Sequence, residues 1–422
     1  MGYRAIGALF ALFPAALFAA FGSHSAVTET LLLGGDTDGY LSPCGCTKPM
    51  SGGIRRRMQV VRQLMQSPHT YTFENGGFGI ATDRQSVLKG QALAEALGQA
   101  KVSAVHISSR ESVFGLELIG ILNLLSETEL VNSNLEKLGG FSLKPAFFTR
   151  KSAVGAVSED NSMQLAQLFG ETPLTNAEAI QGLIELSRSR NAVPGLLLQG
   201  DEAKAAVLAK QFPGLAWIQF RSNGAASKSI RWVGKTALFT PGEHGKAVLK
   251  VDLIDGRVRR IHVIELFENV KDDVPTSATY RRYLQRVAAE GLLARAPRIE
   301  TDPYAGNLTC MGCHPKEAQI WKKSQHSSAL TTLHKVGHQK DPDCVGCHVV
   351  GLESESGFRD EGRTPQLKQV GCESCHGPGK NHSQKPSAFS MPKVGDRSCT
   401  PCHVPDHSPG FSFPKAWQKI AH

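Results

Sequence analysis

Cysteine is nearly missing from the first 300 residues, which hold two of the chain's ten. That scarcity excludes a disulfide-stapled scaffold over most of the 422 residues. Long apolar runs are absent after residue 21, so no later segment suits a bilayer crossing. A one-sided charge balance is missing too: 47 Lys plus Arg face 38 Asp plus Glu, a formal +9 that alone would invite nucleic acid or an anionic membrane. That figure counts only the polypeptide. At 41% hydrophobic and 20% charged, the chain is globular, which excludes wholly disordered, collagen-like and polytopic membrane classes. Its length suits two or three domains.

The last 122 residues lack a core of their own. Leu, Ile, Val and Phe number 18 between Thr301 and His422, below the roughly 20% at which a chain stops burying enough apolar surface to fold unaided. The same stretch holds eight of the ten cysteines, ten of the fifteen histidines and eleven of the 22 prolines. Something other than side chains must fill it.

Residues 1–26 open with Arg4, run apolar from Ala5 to Phe21 and end on small residues, the pattern of a secretory signal or, uncleaved, of an N-terminal anchor. Either way the bulk of the protein is expected outside the cytoplasm. From 27 to 266, short apolar runs alternate with amphipathic stretches: Thr30–Leu33 then 53–66, Thr70–Phe73 then 84–98, Val102–Ile107 then 110–125. This predicts an α/β layered domain. Thr175 and Glu178 form a capping-box pattern, and 230–265 reads as antiparallel hairpins turning at Asp255-Gly256. Residues 267–300 read as a helical linker, and 301–422 as a second domain.

Four Cys-x-x-Cys-His motifs explain the missing core: Cys310, Cys313 and His314; Cys344, Cys347 and His348; Cys372, Cys375 and His376; Cys399, Cys402 and His403. The spacing lets two thiols add to the vinyl groups of one porphyrin edge while the adjacent imidazole ligates the iron, so four haem c groups are expected. Zinc would account for the thiols but not for a His after every second Cys, and disulfides fail for the same reason. A second axial ligand closes a haem to small molecules. His326, on a helix expected over 315–335, and His382, beyond the Gly377-Pro378-Gly379 turn, are candidates, with His422 a third. His334, His338 and His407 read equally as surface histidines.

Tyr304-x-Gly306, Trp321-x-x-Ser324-x-His326, the Asp343 to Gly351 segment around the second motif, Gly371 to His382 around the third, and Trp417-x-x-Ile420-x-His422 resemble the tetrahaem cytochrome c-554 family. The resemblance implies a mostly helical fold with closely packed haems and distal roles for His326 and His382. The wider lineage includes pentahaem nitrite reductase and octahaem hydroxylamine oxidoreductase. This chain departs from those enzymes in having no Cys-x-x-Cys-Lys motif and no octahaem array.

Residues Gly34 to Cys46, Gly52 to Arg56, Ser133 to Leu135 and Pro241 to Lys246 resemble a calcineurin-type metallophosphoesterase of the 5'-nucleotidase-like group. Such enzymes hold two metals through Asp and His. Here the Asp-x-His motif reads Asp36-Thr37-Asp38, the Gly-Asp motif reads Asn75-Gly76-Gly77, and the Gly-Asn-His-Glu and Gly-His-x-His motifs are absent. The expectation is an inactive domain holding no divalent metal, with His106 and His244 structural. Cys44 and Cys46 can form a strained, reducible disulfide or act as soft ligands; relatives with selenocysteine in this loop imply a redox role, and a passive disulfide is the alternative. The basic helix 53–66, with Arg55, Arg56 and Arg57, reads as a solvated face.

Together these readings describe an exported bacterial, periplasmic multihaem cytochrome that transfers electrons between redox proteins such as cytochromes or membrane quinol oxidoreductases. It would be assembled by the cytochrome c maturation machinery, touch no nucleic acid and meet the membrane only through an uncleaved anchor. Two alternatives stand beside it: a haem oxidoreductase acting on a small nitrogen or sulfur compound at a five-coordinate haem, and a metal-dependent phosphoesterase with an attached redox domain.

Overall fold

Strand β1 (Thr28–Gly34) is apolar without alternation because both its faces are covered. Leu31 and Leu33 point into the core between two sheets, while Leu32 points into the core beneath a helical layer. The computed structural model describes residues 26–43, 48–79, 81, 83–112, 114–124, 127–158 and 170–422. Residues 1–25 of the expected signal segment, and Cys44 and Cys46, lie outside the described residues.

The first sheet has the order β14-β13-β1-β2-β3-β4, with β2 Thr70–Glu74, β3 Ala104–His106, β4 Glu129–Val131, β13 Ala247–Ile254 and β14 Arg257–Glu265. Strands β1 to β4 run parallel, and the β13–β14 hairpin adds antiparallel to β1 through the Asp255-Gly256 turn. After a small hairpin, β5 Lys137–Leu138 with β6 Phe141–Ser142, the second sheet takes the order β11-β12-β10-β9-β8-β7. Its strands are β7 Ala146–Phe148, β8 Ser152–Ser158, β9 Val193–Gln199, β10 Trp217–Gln219, β11 Arg231–Val233 and β12 Thr236–Phe239. Trp217, Phe239, Phe73 and Leu249 fill the space between the sheets, and helices Ile54–Leu64, Arg84–Gln99 and Asn176–Ser189 cover the outer faces. The Thr175–Glu178 capping box is present.

The helix Ile54–Leu64 departs from its expected solvated face. Arg56 and Arg57 are buried, Arg56 donating to Met50 O and Leu266 O and Arg57 pairing with Glu74 and Thr37. Arg55 and Arg62 keep partly open ion pairs, with Asp272 and Asp273.

The connecting helix Val274–Ala289 is packed against the α/β layers through Tyr280, Tyr283 and Val287. It ties the two parts of the chain together: Gln85 Nε2 bonds both Tyr283 OH and Asp341 Oδ1 (3.0 and 2.7 Å), and Tyr280 OH meets His338 Nε2 at 3.1 Å. Beyond it the chain is helical, with short segments Asn307–Cys313, Pro315–Lys323, Ala329–Val336, Cys372–His376, Lys380–Gln384 and Phe413–Ile420. The helix expected over 315–335 is broken at Ser324, whose hydroxyl caps Trp321 O at 2.7 Å, and His326 falls in the 3₁₀ turn Gln325–Ser328. A small core of Leu330, Leu333, Val345, Val350, Phe358 and neighbours supports residues 293–367. Among the described residues no helix is long and apolar enough to cross a membrane.

Candidate functional site

Three of the four motif histidines face a second histidine. The ring centroids of His314 and His382 are 6.4 Å apart at 28°, those of His403 and His326 are 6.2 Å apart, and those of His376 and His422 are 5.8 Å apart. A metal held at about 2.0 Å by two imidazole nitrogens, each ring centre a further ~1 Å behind, separates the centroids by ~6 Å. His348 has no such partner among the described residues; its Nδ1 donates to Ala329 O at 2.7 Å.

The outer nitrogens are fixed as a ligating histidine requires. Nδ1 of His382 donates to Phe389 O (2.6 Å), that of His422 to Ile420 O (2.9 Å), and that of His403 meets Ser408 Oγ (3.0 Å). Each bond leaves Nε2 for a metal. Burial holds His326, His348, His376 and His403 below the usual imidazole range, favouring the neutral form that ligates. The thiols of different motifs also converge, free Cys310 lying against Cys372 and free Cys347 against Cys402. From Lys380 to His422 only Ser408 is buried, so this stretch has no side-chain core to hold it. Paired rings, locked Nδ1 atoms and an unfilled interior together fit haem c.

The α/β part gathers its polar residues at the carboxyl ends of the strands, where open α/β sheets place ligands. Asp36 and Asp38, both at positive φ, follow β1; Asn75 follows β2, His106 ends β3, Ser158 ends β8, Gln199 ends β9 and Arg221 follows β10. Arg221 Nε reaches Asp36 Oδ1 at 3.0 Å and its Nη2 reaches Asp38 Oδ2 at 3.6 Å. Arg110 bonds Asp38 and lies 3.5 Å from Asp36 Oδ1. His106 Nδ1 donates to Asn75 Oδ1 at 3.0 Å and Ser158 Oγ donates to its Nε2 at 3.4 Å; complete burial pushes this imidazole down to about 3. Burial pushes the Asp36 carboxyl up to about 7, against the pull of Arg221 and Arg110. At the rim His244 stacks on Tyr40 with centroids 3.9 Å apart, and Asp406, three residues past His403, takes Lys246 at 2.6 Å and His244 at 3.4 Å.

Residues 309–377 match the family Cytochrome c554 and c-prime. Cytochrome c-554 of Nitrosomonas europaea is 35% identical over 136 residues, an alignment covering 24% of this chain and 58% of that relative. The match implies haem c and a multihaem cytochrome role for the c554-like region. The α/β part shares its fold with solved phosphoesterases. A sulfate thiohydrolase, SoxB, of Thermus thermophilus superposes with a TM-score of 0.52 at 16% identity, over 68% of each chain. A 5'-nucleotidase precursor, also of Thermus thermophilus, superposes at 0.51 and 14% identity, over 74% of this chain and 68% of that one.

The residues in the cleft do not fit the two-metal centre that this fold houses in phosphoesterases. Both carboxylates are committed to guanidinium groups, and His106 has both nitrogens engaged within the protein. Asp36 Oδ2 alone among these atoms is buried without a partner, and one oxygen is far short of the roughly four ligands per metal such a centre takes. Arg110 and Arg221 are residues that sequence reading missed, because they lie 111 positions apart and meet only across the two sheets. Manganese titration of the haem-loaded protein is therefore expected to show no saturable binding at this cleft, and Arg110→Ala/Arg221→Ala to gain a site at least tenfold tighter than any in the parent. Stoichiometric micromolar uptake by the parent would refute the assignment.

Proposed function

We propose that the protein is an exported, periplasmic electron-transfer cytochrome carrying four haem c groups on the Cys310/Cys313, Cys344/Cys347, Cys372/Cys375 and Cys399/Cys402 thiols. His314, His348, His376 and His403 serve as proximal ligands, with His382, His326 and His422 distal to His314, His403 and His376. The observation that carries this reading is the set of three histidine pairs at 5.8 to 6.4 Å. Bound haem c supplies a one-electron iron couple whose potential the protein sets through ligand identity, burial and nearby charge. The chain fixes the His348, His382, His403 and His422 rings by their Nδ1 bonds and brings the motifs close enough for successive one-electron steps. Redox proteins serve as donors and acceptors, and the α/β part acts as a docking module or as a source of electrons from the Cys44 and Cys46 thiols.

A second reading has its own observation. Among the described residues His348 is the motif histidine without a ring partner, and a single protein ligand leaves room for a small nitrogen or sulfur compound. One experiment addresses both readings: a pyridine haemochrome count on protein made with the cytochrome c maturation system, with electron paramagnetic resonance of the oxidised form. Four haems per chain, three of them low-spin with two histidines, are expected. Fewer than four would sink the main reading. Four low-spin signals that nitric oxide and cyanide leave unchanged would sink the second.

A further inference from the structure

Glu373, the first residue between Cys372 and Cys375, is a carboxylate buried to 3% exposure with only backbone groups as hydrogen-bond partners. Its Oε1 accepts from Ala305 N (2.8 Å) and Gly379 N (2.7 Å), and its Oε2 accepts from Gly306 N (2.7 Å). Both oxygens are thus engaged by backbone N–H groups of separate segments. No ion pair to it is found among the described residues.

The three donors belong to two segments that carry one histidine pair. Ala305 and Gly306 lead into Asn307–Cys313, which ends at His314, and Gly306 holds φ 87°, a conformation that favours glycine. Gly379 opens Lys380–Gln384, which carries His382. One side chain thus ties the entrance of the His314 segment to the entrance of the His382 segment, and those two rings face each other at 6.4 Å. Asn307 closes the same joint from the other side, its Oδ1 accepting from Cys372 N at 3.1 Å and its Nδ2 donating to Lys368 O at 3.2 Å.

We infer that Glu373 is the positioning residue of the His314/His382 pair. The inference rests on the haem reading above, and it follows from the three N–H bonds that join the entrances of the two segments.

The test compares parent, Glu373→Gln and Glu373→Asp as full-length haem-loaded proteins, by haemochrome count and by paramagnetic resonance of the oxidised form. Glu373→Gln replaces one accepting oxygen with an amide that cannot accept. With four haems retained, one low-spin signal of the three is expected to move or turn high-spin while the others hold. Glu373→Asp keeps both accepting oxygens but shortens the reach, so the same low-spin signal should change by a smaller amount. If Glu373→Gln does not load fully, the Asp variant supplies the reading: an unchanged signal there overturns the positional role. Parent-like signals in both loaded variants overturn the inference as a whole. A parent with fewer than four haems overturns instead the reading on which it rests.

Discussion

Arg57→Ala is expected to destabilise the α/β part by about 3–5 kcal/mol, the cost of leaving a buried charge without its partner. Arg57 Nη2 lies 2.8 Å from Glu74 Oε2, with side chains 2% and 3% exposed, and Arg57 Nη1 also donates to Thr37 Oγ1 at 3.0 Å. Burial already raises the Glu74 carboxyl above its ordinary range, and Arg57 is the leading influence pulling it back. Removing the guanidinium raises it further. A folded-state value above the unfolded one means a contribution that is present at acid pH and lost as pH rises through the folded value. The deficit of Arg57→Ala should therefore be smallest in acid and grow toward neutrality, as read by urea melts at several pH values. Arg57→Met/Glu74→Leu, which replaces both charges with apolar groups, should recover most of the loss. A pH-independent deficit, or a double variant as weak as the single one, would overturn this account.

The same helix shows what sequence pattern can and cannot reveal. Its existence and bounds are legible from the spacing of Ile54, Met58 and Val61, all buried. The fate of Arg56 and Arg57 is not, because their partners come from elsewhere: Glu74 at the end of β2, and carbonyls of Met50 and Leu266. Tripled arginine reads as a solvated face until the strand end that neutralises it is in place. The capping box at Thr175 is legible because both partners lie within four residues. The break at Ser324 is not, since a serine hydroxyl caps a helix only where the tertiary fold needs the chain to turn.

The candidate haem site divides along the same line. Cys-x-x-Cys-His is a local signature, so motif thiols and adjacent histidines are legible without a fold. Which distant histidine meets which motif is set by packing between segments up to 77 residues apart, as with His403 and His326. Glu373 sits in plain view within the third motif, yet its role depends on Ala305 and Gly306, whose N–H groups reach it only in the folded chain. Arg110 and Arg221 give no local signal at all. In the cleft, resemblance to metal-binding relatives shows which ligands are missing, while only the structure shows the cations that stand beside Asp36 and Asp38.

Replacing His382, His326 or His422 singly by alanine is expected to convert one low-spin haem to high-spin and to raise carbon monoxide uptake by the reduced protein from about one per chain to about two. Each of these rings is the second member of a pair, so its loss leaves a single protein ligand at that motif. The parent's single equivalent belongs to the His348 motif, which has no second ring among the described residues. The three variants need not cost equally in stability. His382 is also tied to Phe389 O at 2.6 Å, so its removal should loosen residues 382–389 as well, whereas His422 bonds only two residues back to Ile420. His334→Ala supplies the control, because His334 Nε2 is engaged with Glu361 at 2.7 Å on the exposed side of its helix. It should leave both spin state and uptake unchanged. Added imidazole should restore the low-spin signal in each of the three variants by occupying the vacated position. Uptake held at one equivalent in all three, with spin states unaltered, would mean that the pairs at 5.8 to 6.4 Å do not share a metal. Four equivalents in the parent would mean that none of the four motifs is closed by a second histidine.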